Sequence, residues 1–329
     1  MAGADCRRQP SAISRAYPAQ ALLLRLGMCS ERAAWAERLP PAVRALIGEA
    51  PPEAAWSVKG AAARASPSAD DLGGIRLNGR VWVLARQAQG CRWVQRALEN
   101  ASTEGERRVL AMELRSHVVE ASRCPHANHV LQRCIGSLRP EALDFVIEEI
   151  VDASACQIAR HKYGCRIVQR LVEQCPPAQI RAIADAILAD LPGLSVHAYG
   201  TFTVQNLFAN GSADDRLAIQ RFVLGAAAEL CAAPHGAAVV AAVVESLDSD
   251  GRRALLEGLA SEPAALCAAA CSRGAPLVVR ALEELRAPQR RRLAAALRER
   301  AQAIAASPHG RGVMERLGSW PGAGRSGGS

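Results

Sequence analysis

The sequence predicts an all-α fold, an α-solenoid of about seven repeats running from about residue 76 to residue 320 of the 329-residue chain. Three observations carry this prediction. A string returns at a fixed interval: "GCRWVQRALE" begins at Gly90, "YGCRIVQRLVE" begins at Tyr163, and looser copies lie between and after them. The apolar positions inside each copy fall at helical spacing. The composition is 50% apolar and alanine-rich, with only 4% aromatic residues, which favours helix and leaves too little β-branched and aromatic content for a sheet protein.

The glycine ahead of "CRIVQ" serves as an index. It falls at Gly90, Gly164, Gly200, Gly236, Gly274 and Gly310, with Ala127 standing in for it in the second unit. Successive units are therefore 37, 37, 36, 36, 38 and 36 residues apart. The third and fourth residues after the index form an apolar column, from Trp93 and Val94 through Val130 and Leu131, Ile167 and Val168, to Val313 and Met314; Thr203 is its one polar member. A turn further on comes a second column, including Ala97 and Leu98, Cys134 and Ile135, Leu171 and Val172, and Leu207 and Phe208. Together they make one face of a helix.

Before the index each unit carries a short apolar segment, such as "QIAR" from Gln157 or "AELCAA" from Ala228, which predicts a short first helix. After the central helix comes a longer amphipathic segment, such as "EALDFVIEEIV" from Glu141, which predicts a third. A single unit cannot bury its own apolar face, but a stack of units can. Residues 1–75 are expected to be a partly disordered extension: "ERAAWAERL" has some helical character, and residues 50–75, rich in Pro, Ala, Ser and Gly, read as a linker. Residues 321–329 belong to a Gly-rich tail.

Formal net charge is +8, which suits a polyanion such as nucleic acid or an anionic membrane surface. The eleven cysteines are odd in number, dispersed, and free of any CxxC pair. That pattern predicts reduced thiols in an intracellular chain, with no metal site and no disulfide scaffold. No uninterrupted apolar run of about eighteen residues occurs, so no membrane span is expected. The first thirty residues carry Arg7, Arg8, Arg15 and Arg25 against Asp5; an organelle transit peptide and a disordered terminus both fit that bias.

The polar content of the central helices is the functional signal. Immediately after the index stand Cys91 and Arg92, Asn128 and His129, Cys165 and Arg166, and Thr201 and Phe202. The fifth residue after it is Gln95, Gln132, Gln169 and Gln205. The first and fifth positions share a helix face, one turn apart. A glutamine amide offers both a donor and an acceptor and can read a base edge. Arg, His and Phe present flat groups on which bases stack, and Arg adds cation–π attraction. One base per repeat, read by two or three side chains, is a known logic for helical repeats on single-stranded RNA.

On these residues the chain resembles the Pumilio family of RNA-binding repeat proteins. "GCRWVQRALE", "HANHVLQRCI", "YGCRIVQRLVE" and "YGTFTVQNLF" are similar to that family's RNA-reading helices, and "LNGRVWVLARQAQGCRWVQ" is similar to its first repeat. The resemblance implies a right-handed, armadillo-like superhelix of three-helix repeats. By the family's code, a Cys and Gln pair reads adenine and an Asn and Gln pair reads uracil, on RNA running antiparallel to the protein. Cys91 with Gln95, Asn128 with Gln132, and Cys165 with Gln169 then imply 5′-AUA-3′. Thr201 with Gln205 departs from the usual pairs and implies a tolerant position.

The later units depart further. Ala237, Ala238 and Ala241 supply neither reader nor stacker, and Ala275, Pro276 and Val279 do no better. In the last unit Glu315 resembles the family's guanine reader, but Arg311 replaces the usual serine. The resemblance implies binding to single-stranded RNA, chiefly mRNA 3′ untranslated regions, and post-transcriptional control through recruited partners, on a monomeric, cytoplasmic protein with no cofactor. Protein effectors would meet the outer surface. Two alternatives stand beside it: a nucleolar scaffold in ribosomal RNA processing, and a protein-binding solenoid with an apolar groove near Ala237 and Ala275. His126, His235 and His309 share a column with Tyr163 and Tyr199, which predicts packing or helix capping. Cys165 and His161 fall in columns that other units fill with inert residues, so they predict no catalytic pair.

Overall fold

Each index residue stands at or immediately before the first turn of a central helix, and the physical reason is steric. A Cβ built on Gly164 would lie 2.4 Å from the Ile158 carbonyl oxygen, and one on Gly310 would lie 2.0 Å from the Ile304 carbonyl oxygen. The central helix therefore begins pressed against the backbone of the short helix before it, and only hydrogen fits at that contact. The computed structural model describes residues 77 and 79–319. All of its regular structure is helical. The expected extension over residues 1–75 and the Gly-rich tail lie outside the described residues.

The first unit comprises α1 (Val81–Ala85), α2 (Gly90–Asn100) and α3 (Glu104–Met112). The second comprises α4 (Val118–Arg123), α5 (Ala127–Ser137) and α6 (Asp144–Asp152), the last preceded by a 3-10 turn at Pro140–Ala142. The third comprises α7 (Ala155–Ala159), α8 (Gly164–Gln174) and α9 (Arg181–Ala189). The fourth begins with α10 (Leu191–Ser195) and α11 (Gly200–Asn210). Its third helix runs on into the first helix of the fifth unit as α12 (Ala213–Ala232). The join is marked by a kink at Ala226, whose φ of −121° and ψ of 17° leave the helical region. The fifth unit continues with α13 (Ala237–Ser246) and α14 (Ser249–Ser261). The sixth holds α15 (Pro263–Ala270), α16 (Ala275–Glu284) and α17 (Ala287–Glu299), and the seventh α18 (Ala301–Ala306) and α19 (Arg311–Gly318).

The predicted apolar columns form the core. Val94, Leu98, Val130, Leu131, Ile167, Leu171, Val204 and Leu207 are all fully buried, and the same columns continue through Val240, Val278 and Val313. Each central helix packs on its neighbours on both sides, so the core is a continuous seam along the array. Thr203, the polar exception, keeps its place by donating its hydroxyl to the Gly200 carbonyl at 2.8 Å.

Two polar devices join the units in register. Arg133 meets Glu99 of the preceding unit at 2.9 Å, Asn206 donates to Glu173 at 2.7 Å, Arg280 meets Glu245 at 2.7 Å, and Arg316 meets Glu283 at 3.1 Å. In each case the sixth residue after one index bonds the ninth after the index before it. The ladder breaks twice: where Gly136 faces the register of Arg170, which turns instead to Glu173, and where Ala209 faces the register of Ala242. The second device secures the first helices. The Glu113 carboxylate accepts the backbone N–H groups of Gly79 and Val81, and Glu149 accepts those of Ser116 and Val118. Gly79 and Ser116 both adopt positive φ, at 78° and 67°, to turn their N–H groups toward the carboxylate.

The third helices carry their own caps. Thr103 accepts the Glu106 N–H at 3.2 Å, Asp248 accepts the Gly251 N–H at 2.8 Å, and Ser212 with Asp215 forms a reciprocal capping box at the start of α12. Asp215 is almost wholly buried and also takes an ion pair from Arg181 at 2.8 Å. Burial alone would raise its pKa, but hydrogen bonds from Arg181 and Ser212 hold the carboxyl below the usual aspartate value.

Candidate nucleic-acid interface

The first turns of α2, α5, α8 and α11 present the same arrangement four times. The residue after the index is buried in every case: Cys91, Asn128, Cys165 and Thr201 are at most 5% exposed. The residue beside it turns outward, with Arg92 and His129 exposed and Arg166 and Phe202 half-buried. One turn on stands the glutamine.

Internal hydrogen bonds orient these amides. Gln95 donates from Nε2 to the Cys91 carbonyl at 3.1 Å, and Gln132 donates to Oδ1 of Asn128 at 2.9 Å. Asn128 in turn donates to the Cys124 carbonyl at 2.7 Å, so the second unit holds a two-residue polar relay. Gln205 donates to both the carbonyl and the hydroxyl of Thr201, at 3.1 and 3.2 Å. Gln169 differs: it is 5% exposed, and its Nε2 is buried with no hydrogen-bond partner. A buried amide donor left unpaired is costly, and it is the one polar group of the four glutamines that the protein alone does not satisfy.

The thiols are inert as nucleophiles. Burial pushes the Cys91 and Cys165 pKa values up, and each Sγ is directed at a carbonyl of the preceding turn, Ala88 and Lys162 respectively. Among the described residues the nine cysteines are all free, and no cluster of His, Cys, Asp and Glu could hold a metal ion.

The starts of α8 and α11 are fixed by a histidine three residues before the index. Nδ1 of His161 accepts the N–H groups of Tyr163 and Gly164, and Nδ1 of His197 accepts those of Tyr199 and Gly200. Ser307 does the same for Gly310, and Ser272 for Gly274. Packing or helix capping is expected of His126, His235 and His309; the side chains that bond the first N–H groups stand two or three residues before the index. The N–H groups of a helix's first turn point back along its axis, and a side chain at that distance is the one that can meet them.

The fourth unit is already crowded. Phe202 has the Arg166 guanidinium over its ring at 5.7 Å and that of Arg273 at 4.5 Å. Arg273 belongs to the turn before α16, two units further along. The expected apolar groove is not open: Ala237, Ala238, Ala241 and Ala275 are all buried. Arg311 and Glu315 are both exposed, on α19, three units beyond Thr201 and Gln205.

Fold and site together define an α-solenoid whose first four units present in-register polar triplets along one face. The model of the Pumilio-family RNA binding repeat matches residues 80–115, 117–151, 154–188 and 192–221, which are those four units. Residues 80–221 thus carry four repeats of the Pumilio-family type. Pumilio homology domain family member 4 of Saccharomyces cerevisiae is 32% identical over 100 residues, covering 30% of this chain and 11% of the relative. Suppressor protein MPT5 of the same yeast is 36% identical over 83 residues, covering 25% of this chain and 10% of the relative. This chain thus spans only about a tenth of the length of these curated relatives. Among solved structures, PUF-8 in complex with PBE-RNA is similar with a TM-score of 0.57 at 24% identity, covering 73% of this chain and 71% of that one. The Puf3 RNA binding domain bound to Cox17 RNA 3′ UTR recognition sequence site B is similar with a TM-score of 0.58 at 18% identity, covering 73% and 74%. At these identities the likeness establishes the fold.

Proposed function

We propose that this chain is a sequence-selective single-stranded RNA-binding protein. It acts on mRNA, in 3′ untranslated regions, and its first three units read 5′-AUA-3′. Its effect on translation or decay comes through recruited proteins.

One observation carries this reading. In α2, α5 and α8 a small buried residue, an outward flat or cationic residue and a glutamine recur at the same three positions, and the glutamines keep hydrogen-bonding capacity to spare. Gln95 and Gln132 use one N–H internally and retain the other N–H and the carbonyl oxygen, and both are only half-buried. Gln169 stands in the same register but is buried, with no partner for its Nε2. Arg92, His129 and Arg166 lie beside these amides, where successive bases would stack on them.

The test is selection of purified protein against random RNA pools at a fixed, physiological salt concentration, followed by sequencing. Fixed salt matters because phosphate contacts make affinity salt-dependent. Enrichment of AUA is the expected outcome. Binding without enrichment would instead favour a scaffold on ribosomal RNA, for which nucleolar accumulation of a tagged protein is the corroborating result. No binding at any salt would leave a solenoid that recognises protein.

A further inference from the structure

We propose that Arg273 ends the RNA path at the fourth unit by occupying the stacking face of Phe202. This inference rests on the RNA-binding reading above and adds to it where the footprint stops and which residue stops it.

Phe202 holds the position that Arg92, His129 and Arg166 hold in the first three units. Arg92 and His129 are exposed, and Arg166 is half-buried with its guanidinium 5.7 Å from the Phe202 centroid. Here the ring is half-buried, with the Arg273 guanidinium 4.5 Å from its centroid. At that distance the contact is a cation–π interaction, and it covers area that a base would need. Arg273 comes from the turn that opens the sixth unit, so it reaches across the whole of the fifth.

The fifth unit is built to allow this reach. Its residue after the index is Ala237, and a Cβ added to Gly274 would lie 2.4 Å from the Ala237 Cβ. The turn carrying Arg273 is therefore seated directly on the place where the other units hold a reader. Ala238, in the stacker position, is buried as well. The alanines that look like lost readers in the sequence are the socket that lets the turn close. A larger residue at position 237 or at Gly274 would lift the turn and withdraw Arg273 from the ring. The Nη1 atom of Arg273 is buried with no hydrogen-bond partner, so the stack on Phe202, and no ion pair, is what holds the side chain there.

The consequence is a short footprint. The fourth base would have to displace Arg273 to stack on Phe202, whereas Arg92 and His129 are exposed and Arg166 lies farther from the ring than Arg273 does. The experiment uses the full chain and two fluorescent RNAs. One contains AUA with a normal nucleotide 5′ of it. The other is identical except for an abasic residue at that 5′ position. The wild type is expected to bind both within about twofold. The variant Arg273→Ala frees the ring and is expected to prefer the intact RNA by about tenfold, the scale of one base–aromatic stack. Arg273→Lys keeps the positive charge but loses the planar group, and is expected to show a preference between the other two. Circular dichroism checks that each variant remains folded.

A wild type that already prefers the intact RNA as strongly as Arg273→Ala does would overturn the proposal. So would an Arg273→Ala protein that binds both RNAs equally but more weakly, which would make Arg273 a phosphate contact. In both cases AUA recognition would survive. A wild type that binds neither RNA removes this inference together with the reading it rests on.

Discussion

The first three units and the fourth to sixth use the same helical frame for opposite ends. In both regions the central helix buries the same two columns, and α8 and α11 are capped alike by a histidine three residues before the index. In the first two units the triplet positions carry polar groups that stay open, with Gln95 and Gln132 half-buried and Arg92 and His129 exposed; the third, with Gln169 buried and Arg166 half-buried, is intermediate. In the second region they are consumed internally. Gln205 is buried and bonded twice to Thr201, Phe202 is covered by arginines, and Ala237 is pressed under the next unit's turn. Sharing a repeat register therefore does not mean sharing a surface. The frame is set by steric columns, while access is set by how closely the next unit folds over.

The largest expected effect separates the two regions through the core. Leu171 in α8 and Leu293 in α17 are both fully buried, and truncating either to Ala should cost about 2–5 kcal/mol in denaturant titration. Because packing in a solenoid falls off along the array, and Leu293 lies three units beyond α8, Leu171→Ala should also abolish AUA binding and Leu293→Ala should spare it. Equal loss of RNA binding in the two variants would show that the regions are not separable.

Next comes the reader comparison. Gln132→Ala should weaken binding to AUA RNA by about 1–3 kcal/mol, measured by fluorescence anisotropy, because it removes an accessible amide. Gln205→Ala should leave that affinity unchanged while lowering the melting temperature, because its amide is spent on Thr201.

Acid should act unevenly along the array. Burial, together with the charge of Arg123 near His161 and of Arg160 near His197, holds both imidazoles below the usual histidine pKa. Their Nδ1 atoms cap as acceptors only when that nitrogen is unprotonated. The folded-state pKa lies below the unfolded one, so this contribution is fully present above about pH 6.5 and is lost as pH falls through the folded-state value. Hydrogen exchange at pH 7 and pH 5 should show α8 and α11 losing protection, and α16 and α19, capped by Ser272 and Ser307, keeping theirs. Substituting both His161 and His197 by Ala should remove the difference.

The smallest effect concerns the ladder. Glu99→Ala breaks a pair whose partners are both well exposed and should cost no more than about 1 kcal/mol. Glu245→Ala removes the carboxylate that takes both Nη2 and Nε of a more buried Arg280, and should cost more. Thermal melts of the two single variants would rank them.

Much of this molecule could be read in advance. The register of the central helices was visible from the index glycines, and the structure starts α2, α8 and α11 on those residues. The buried columns followed from 3.6-residue spacing. The merger of two helices at Ala226 was not visible, since nothing in "FVLGAAAELCA" separates a kink from a turn. Nor was the capping by His161 and His197, because that column changes residue type from unit to unit. The ladder from Glu99 to Arg316 pairs residues 33 to 35 apart, and becomes meaningful only once neighbouring central helices are known to lie side by side.

The sequence by itself determined the helical class, the repeat length and the register of the polar triplets. These are local properties: steric fit within one unit, side-chain periodicity along one helix, and the chemistry of single residues. Only the tertiary structure decided which triplets remain open. Whether Phe202 offers its ring depends on Arg273, 71 residues away, and whether Ala237 is a lost reader or a socket depends on Gly274. Both are set by the angle at which one unit closes on the next, and that angle is summed from many packing contacts with no single residue to announce it.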